Sequence, residues 1–485
     1  MKRGLGTPSE RRFGIGCLIG WLALASAGWL LACTQPQTEA SCPGCNVVFV
    51  LVDTLRADRL SVYGYERPTS PNLEEFSRGA IVLRNARSQA ACTYPSVNSI
   101  LTSRYPFEFL DQADGGLGIP ETIPSLPQLL KRRGYETAAI SGSPVVTNTP
   151  TSLNPKGGFD RGFDHFEVCK CLGADCIWKH KPHAACINEK ATQYLAEREK
   201  RGGQAPFFLY LHYMDTHDPY RPPGADYLRF GTPYAGEKGW VARGETQPIH
   251  RMLYGDGADA KLSEADIQHL SDLYDSEVHY FDSQFAVLLE ALEKAGVRDD
   301  TIIVVASDHG EELLEHNSIR HCHTLFDTEI HTPLILRVPG LQHLGVRSAL
   351  AENLDLVPTL LDYLAIDFDP SSFAGSSLRP VIERDESIRE LSFSSQGTLR
   401  SATGERFKLI FDLEDSGRQV FDLAADPAEA RPAKAVPPPE FALLSGQLIR
   451  WIEDHEGISS PEAAQRAREI SRETEARLRA IGYLE

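Results

Sequence analysis

The sequence predicts an α/β protein, with a central, mostly parallel sheet flanked by helices and a small α+β subdomain at the C-terminal end. Three observations carry this expectation. Continuous runs of β-branched and aromatic residues recur along the chain, as in strands covered on both faces. Helical patterns with clear start and stop signals lie between them. Beyond about Pro380 the pattern changes to short segments around a polar turn.

In chain order, Lys2, Arg3, Arg11 and Arg12 precede an apolar run from Phe13 to Ala32 that ends in Leu30-Leu31-Ala32-Cys33. That ending resembles a bacterial lipobox, with Cys33 the lipidated residue; the other reading of 1–33 is an uncleaved membrane anchor. Both readings place the rest of the chain outside the cytoplasm, tethered in the bacterial cell envelope, because the positive flank stays inside. A polar tether, 34–45, follows. The main domain is expected over 46–380 and the C-terminal subdomain over 381–485.

The runs Asn46–Val52, Phe207–Leu211, Thr301–Ala306 and Pro333–Arg337 read as buried parallel strands. A helix is expected over Thr122–Arg133, closed by Gly134. Another opens on the capping-box pattern Ser263–Asp266 and runs towards Gly296. Arg400–Phe411 and Gln419–Leu423 read as short antiparallel strands around a turn at Asp415, Ser416 and Gly417, and Ser460, Pro461 and Glu462 start a charged helix. The stretches 165–190 and 224–262 have no sustained period and read as surface insertions.

Composition narrows the function. At 485 residues, 42% hydrophobic and 24% charged, the chain has ample core. A net charge of −18 argues against nucleic acid as a partner. Setting aside Cys17 and Cys33, eight of the ten cysteines remain, an even set that reads as disulfides in an exported chain. The alternative for Cys169, Cys171, Cys176 and Cys186 is a structural zinc site of unfamiliar spacing.

The chemistry collects at predicted strand ends. Asp53 follows the first strand, and Asp308 and His309 follow the third. In an open parallel sheet those ends share one edge, so two carboxylates and an imidazole make a divalent-metal site. Singly, each has a duller reading, such as a helix N-cap. Thr93 precedes Pro95 at a helix start, where free N–H groups favour a phosphate or sulfate; it is either a metal-activated nucleophile or a plain N-cap.

Eight segments carry a resemblance: VFVLVDTLRADRLSVYGY (48–65), TSPNLEEFSRGAIVLRNARS (69–88), TYPSVNSILTSRYP (93–106), FFLYLHYMDTHDPYRPP (207–223), LYDSEVHYFD (273–282), VVASDHGEELLEH (304–316), HTLFDTEIHTPLILRVPG (323–340) and VFDLAADPAE (420–429). In this order they resemble the sulfatase-like family of the alkaline phosphatase superfamily, from about residue 46 to 430. The resemblance implies that family's α/β sandwich. It also implies metal ligands at Asp53, Asp308 and His309, joined by the catalytic Thr93, and His217 at the substrate or leaving group. His321 and His323 fall where the family places a further substrate-binding basic group.

The departures from the family pattern bear on chemistry. Sulfatases proper oxidise a cysteine in C-x-P-S-R to formylglycine; here Thr93 holds that place, Val97 replaces the arginine and Cys92 is one residue too early. Thr54 replaces the second aspartate of the usual pair, and the expected lysine is absent from AAISGSPVV. The expected enzyme is therefore a metal-dependent hydrolase or transferase for phosphate- or sulfate-type esters of a small molecule, lipid or glycan, with a covalent intermediate on Thr93. The alternatives are a sulfatase proper, with Cys92 modified, and a binding protein that lost turnover. A nitrogen ligand favours zinc or manganese over calcium or magnesium. One metal is favoured over two, the second set being Asp215, His217 and either His321 or His323.

Overall fold

The computed structural model describes residues 40–110, 118–169, 181–255 and 262–456, apart from 343 and 435. The apolar run with Cys33, the cysteines Cys171 and Cys176, and the charged helix expected at Ser460 lie outside the described residues. Among the described residues no helix is long and apolar enough to cross a membrane.

Among the described residues fourteen strands appear in chain order: β1 (Asn46–Val52), β2 (Ile81–Arg87), β3 (Glu136–Ser141), β4 (His165–Val168), β5 (Phe207–Tyr213), β6 (Thr301–Ser307), β7 (Glu312–Leu313), β8 (Ile319–Arg320), β9 (Leu334–Arg337), β10 (Gly345–Glu352), β11 (Ser392–Gln396), β12 (Leu399–Thr403), β13 (Phe407–Asp412) and β14 (Arg418–Asp422). Eight form one mixed sheet in the order β10-β2-β9-β6-β1-β5-β3-β4. At its centre β1 lies parallel to both β5 and β6, in register from Asn46 opposite Thr301 to Val52 opposite Ser307. Every residue of these three strands is buried, which is why they read as unbroken apolar runs rather than alternating ones.

One expectation is corrected here. The Pro333–Arg337 segment, read as a parallel strand, supplies β9, and β9 runs antiparallel to both β6 and β2. A strand covered on both faces has the same continuous apolar run in either direction, so composition cannot report its polarity. The consequence is useful: with β9 reversed between them, β2 and β6 point the same way, and their C-terminal ends share an edge with that of β1.

Helices cover both faces. The longest, Glu264–Lys294, starts with the expected capping box: the Ser263 hydroxyl accepts from Asp266 N, and the Asp266 carboxylate accepts from Ser263 N. Such a cap contributes about 1 kcal/mol. Its apolar face, with Leu273, Val278, Phe281, Phe285 and Leu288, packs in the main core. The helix expected over Thr122–Arg133 begins only at Leu126, because Ser125 is extended and serves as its cap with Gln128. Arg400–Phe411 divides into two strands, and β11 to β14 form an antiparallel meander with the C-terminal helix Pro438–Glu456 across it. Tyr105, Leu409, Leu448 and Trp451 share the small core between them.

Candidate active site

The strand ends meet as the sheet requires. Asp53 leaves β1, Asp308 and His309 leave β6, and Thr93 begins the helix Thr93–Thr102, six residues beyond β2. All four side chains are buried, at 1%, 0%, 0% and 2% exposure. The Thr93 hydroxyl lies 3.4 Å from Asp53 Oδ2 and 3.2 Å from His309 Nε2. His309 Nε2 is 3.4 Å from Asp308 Oδ2 and 3.9 Å from Asp53 Oδ1.

Local structure aims these groups. His309 Nδ1 sits 2.9 Å from Gly310 O. A carbonyl only accepts, so Nδ1 carries the proton and Nε2 turns a lone pair to the cluster. Gly310 must be glycine: a Cβ there would stand 2.0 Å from Thr328 O. Asp308 Oδ1 accepts from Thr54 N at 3.3 Å and His309 N at 2.9 Å, which fixes the carboxylate and leaves Oδ2 pointing inward. Ser96, one residue after Pro95, donates to Asp308 O at 2.6 Å and ties the helix start to the end of β6. Thr54, at the place of the second aspartate, turns its hydroxyl back to Asp53 O at 2.7 Å. The Arg56 guanidinium reaches Glu311 O at 2.9 Å and Glu315 at 2.7 Å, bracing the segment after His309. The long helix braces the loop after β1, for the Tyr274 hydroxyl donates to Thr54 O at 2.7 Å and accepts from Arg56 N at 3.0 Å.

Two buried carboxylate oxygens in this cluster, Asp53 Oδ1 and Asp308 Oδ2, have no hydrogen-bond partner. An unfilled buried acceptor costs about 1–3 kcal/mol, and more for a charged one, so a pair of them side by side calls for a cation. Asp53, Asp308 and His309 each offer a ligand atom, all within 4.8 Å of one another. Two carboxylate oxygens and one imidazole nitrogen suit a divalent metal. The electrostatics agree. Burial and the adjacent Asp53 push the Asp308 carboxyl up to about 6. Burial also acts to raise Asp53, but the His212 hydrogen bond, with His217 and His309, brings it below the usual carboxylate value.

His212 is one of two groups that sequence reading missed. Its Nε2 lies 3.2 Å from Asp53 Oδ2 and its Nδ1 lies 2.9 Å from the Tyr210 hydroxyl. A lone histidine in the apolar strand FFLYLHY was the available signal. The other is Glu311, whose Oε1 is 3.1 Å from His321 Nδ1.

His309, His321 and His217 stand in a row, with ring centres 4.6 Å and 5.0 Å apart. His217 Nδ1 donates to Asp218 O at 2.7 Å, and burial lowers its pKa. Burial, then the neighbouring His309 and His217, lower that of His321 well below the ordinary value. His323 stands in a different group: its Nε2 is 3.0 Å from His250 Nε2, and its ring stacks on Tyr254 at 4.1 Å. Asp215, which a second metal would need, accepts from Ala184 N at 3.0 Å and lies 3.9 Å from His183 Nδ1. Among the described residues the structure offers one cluster able to hold a metal.

Cys92 is bonded to Cys322, as Cys42 is to Cys45 and Cys169 to Cys186. The Cys169–Cys186 pair dissolves the alternative zinc set, and the Cys92–Cys322 bond removes Cys92 as the precursor of an aldehyde.

Comparison with known proteins gives the family and the fold. The family model described as Sulfatase matches residues 45–366. N-acetylglucosamine-6-O-sulfatase of Bacteroides thetaiotaomicron is 24% identical over 516 aligned positions, covering 88% of each chain. A structure solved in complex with its substrate D-glucosamine-2-N,6-O-disulfate superposes with a TM-score of 0.67 at 22% identity, covering 86% of this chain and 99% of the other. A phosphonate monoester hydrolase from Silicibacter pomeroyi superposes with a TM-score of 0.65 at 23% identity, covering 85% and 96%. The chain belongs to the sulfatase family, hydrolases of the alkaline phosphatase superfamily.

Proposed function

We propose that this sulfatase-family hydrolase is metal-dependent and forms a covalent ester on Thr93, with phosphate-type esters as its preferred substrates. The observation that carries the reading is the Thr93 hydroxyl at a helix start, 3.2 Å from His309 and 3.4 Å from Asp53, beside two unpartnered carboxylate oxygens. Asp53, Asp308 and His309 would hold a divalent cation, zinc or manganese, which neutralises charge on the nucleophile and on the ester oxygens.

The side chains then divide the work. The Thr93 hydroxyl faces Asp53 Oδ2, the acceptor placed to take its proton. The Thr93 oxygen bonds to phosphorus while the bond to the leaving alcohol breaks. His217, held through Nδ1 by Asp218 O, has to enter this step as the imidazolium, with a second proton on Nε2 that passes to the alcohol and leaves the ring neutral. Burial favours the neutral imidazole, which suits His217 to take a proton from the water that next displaces Thr93. Burial raises the Glu311 carboxyl well above its ordinary value, so it donates to His321 Nδ1 and leaves the ring proton on Nε2, where it can reach a non-bridging ester oxygen.

A threonine lacks the aldehyde hydrate with which formylglycine attacks and then expels sulfate, and this favours phosphoryl transfer to water or an acceptor alcohol. Sulfate esters are the second reading, supported by the sulfatases among its relatives. Mass spectrometry of the reduced peptide containing Ala91–Arg104, after incubation of metal-loaded protein with phosphate, phosphonate and sulfate esters, decides between them. A phosphate or phosphonate adduct on Thr93 is the expected result. A sulfate adduct favours the second reading, and neither adduct nor turnover would leave a binding protein on this fold. The envelope location is likewise our proposal. Cys33→Ser should release the protein from the membrane fraction, and continued fractionation with membranes would instead support the uncleaved anchor.

A further inference from the structure

We infer that the Cys92–Cys322 disulfide is a positioning element of the reaction centre, fastening the turn that carries Thr93 to the loop that carries His321. Cys92 immediately precedes Thr93 and Cys322 immediately follows His321, so one bond joins the neighbours of two site residues that are far apart in sequence. The two Cα atoms are 4.9 Å apart, and both cysteines are buried.

The loop needs such a fastening. Arg320 and Cys322, on either side of His321, both adopt left-handed backbone conformations, with φ of 69° and 75°. Residues with a Cβ avoid this region and stay there only where the surroundings hold them. What holds Cys322 converges on the disulfide. Cys322 N donates to Ala91 O at 2.9 Å, so a backbone bond runs alongside the sulfur bridge. Gln396, at the end of β11 in the C-terminal meander, donates through Nε2 to Cys322 O at 3.0 Å and lies 3.4 Å from Cys92 Sγ. Arg320 is anchored separately, to Gln247 Oε1 at 2.8 Å. The Glu311 side chain sets the rotation of the His321 ring but not the path of its backbone. Without the bridge, Cys322 is free to leave the left-handed region and takes His321 away from His309 and His217. Displacement of a reacting group by about 1 Å is enough to lower turnover on the order of a hundredfold.

This inference rests on the proposed roles of Thr93 and His321 where turnover is the readout, so the test also includes one that does not depend on them. The full-length, metal-loaded Cys92→Ala/Cys322→Ala variant is compared with wild type and with Cys169→Ala/Cys186→Ala. We expect kcat on the preferred ester to fall by roughly tenfold to a hundredfold, KM to stay within about twofold, and bound metal to be unchanged. Amide exchange at residues 320–324 should accelerate, while the Cys169→Ala/Cys186→Ala variant keeps wild-type kcat. Wild-type kcat, or wild-type exchange at 320–324, in the Cys92→Ala/Cys322→Ala variant overturns the inference. If that variant does not fold, wild-type protein is treated with a dithiol, which takes up the oxidation as its own cyclic disulfide and leaves thiols at Cys92 and Cys322. Turnover that falls as those thiols appear supports the inference, and full turnover with both thiols free overturns it. Should Thr93→Ala retain turnover, the functional reading fails, while the exchange measurement still tests the bridge.

Discussion

The protein buries two clusters of charged side chains and builds them in opposite ways. Where the C-terminal meander meets the main sheet, Lys408 is fully buried, with Nζ 3.0 Å from Asp327 and 2.9 Å from Glu429, while Arg87 pairs with Asp327 at 2.8 Å. Two cations face two anions there. At the ends of β1 and β6, Asp53 and Asp308 face each other across His309 and keep two unpartnered oxygens. The first cluster is complete within the chain and fastens one part of the fold to another. The second turns two carboxylate oxygens inward without a hydrogen-bond partner, and the metal site we propose rests on that difference.

The comparison can be broken or sharpened by experiment. The largest effect expected is on chemistry: Thr93→Ala should lower turnover by more than about a thousandfold with metal and fold retained. Activity near wild type would remove Thr93 as nucleophile. Asp327→Asn should cost about 3 kcal/mol of stability, because it leaves buried Lys408 and Arg87 short of an anion, with metal content and kcat unchanged. A denaturation midpoint equal to wild type would show that the balanced cluster carries no such load. Asp308→Asn should do the reverse. Elemental analysis should find the metal lost, while the metal-free protein gains stability on the order of 1 kcal/mol from relief of repulsion between carboxylates. Retained metal would contradict the ligand assignment.

The smallest effect is in pH dependence, and the two clusters carry opposite signs. Without metal, the Asp308 carboxyl is raised from 3.8 to about 6, so its contribution to stability is full below pH 3.8 and is lost as pH rises through about 6. Burial works to raise Asp327 too, but Arg87 and Lys408 hold it well below the usual carboxylate range. Its contribution is present above pH 3.8 and is lost as pH falls below that value. Buried Glu277, Glu352 and Asp215 are raised in the same way, so chelated protein should gain more thermal stability between pH 7 and pH 5 than metal-loaded protein does, the difference being the part that metal removes by holding both site carboxylates ionised. The same change in melting temperature with and without metal over that interval would contradict the pairing of Asp53 with Asp308.

Much of the site was legible in the sequence. An aspartate after a buried apolar run, an Asp-His-Gly after another, and a threonine just before a proline-opened helix each have a local cause. The parallel β1–β6 register converts those causes into one cluster. His212 was harder to see, since a histidine in a buried strand is more often a packed one than a site residue. The polarity of β9, the separation of His323 from His321 and the retreat of Asp215 towards Ala184 had no local signal at all.

The sequence by itself therefore determined the class of fold, the donor atoms of the candidate metal set and the threonine we propose as nucleophile, because these follow from residue type and spacing over a few positions. Only the tertiary structure decided that Cys92 reaches Cys322 across 230 residues, that Glu311 orients His321, and that Lys408 and Arg87 share Asp327. Those pairings are made when separate strands and loops are brought to one sheet edge, and short-range sequence pattern carries no record of which distant partner arrives.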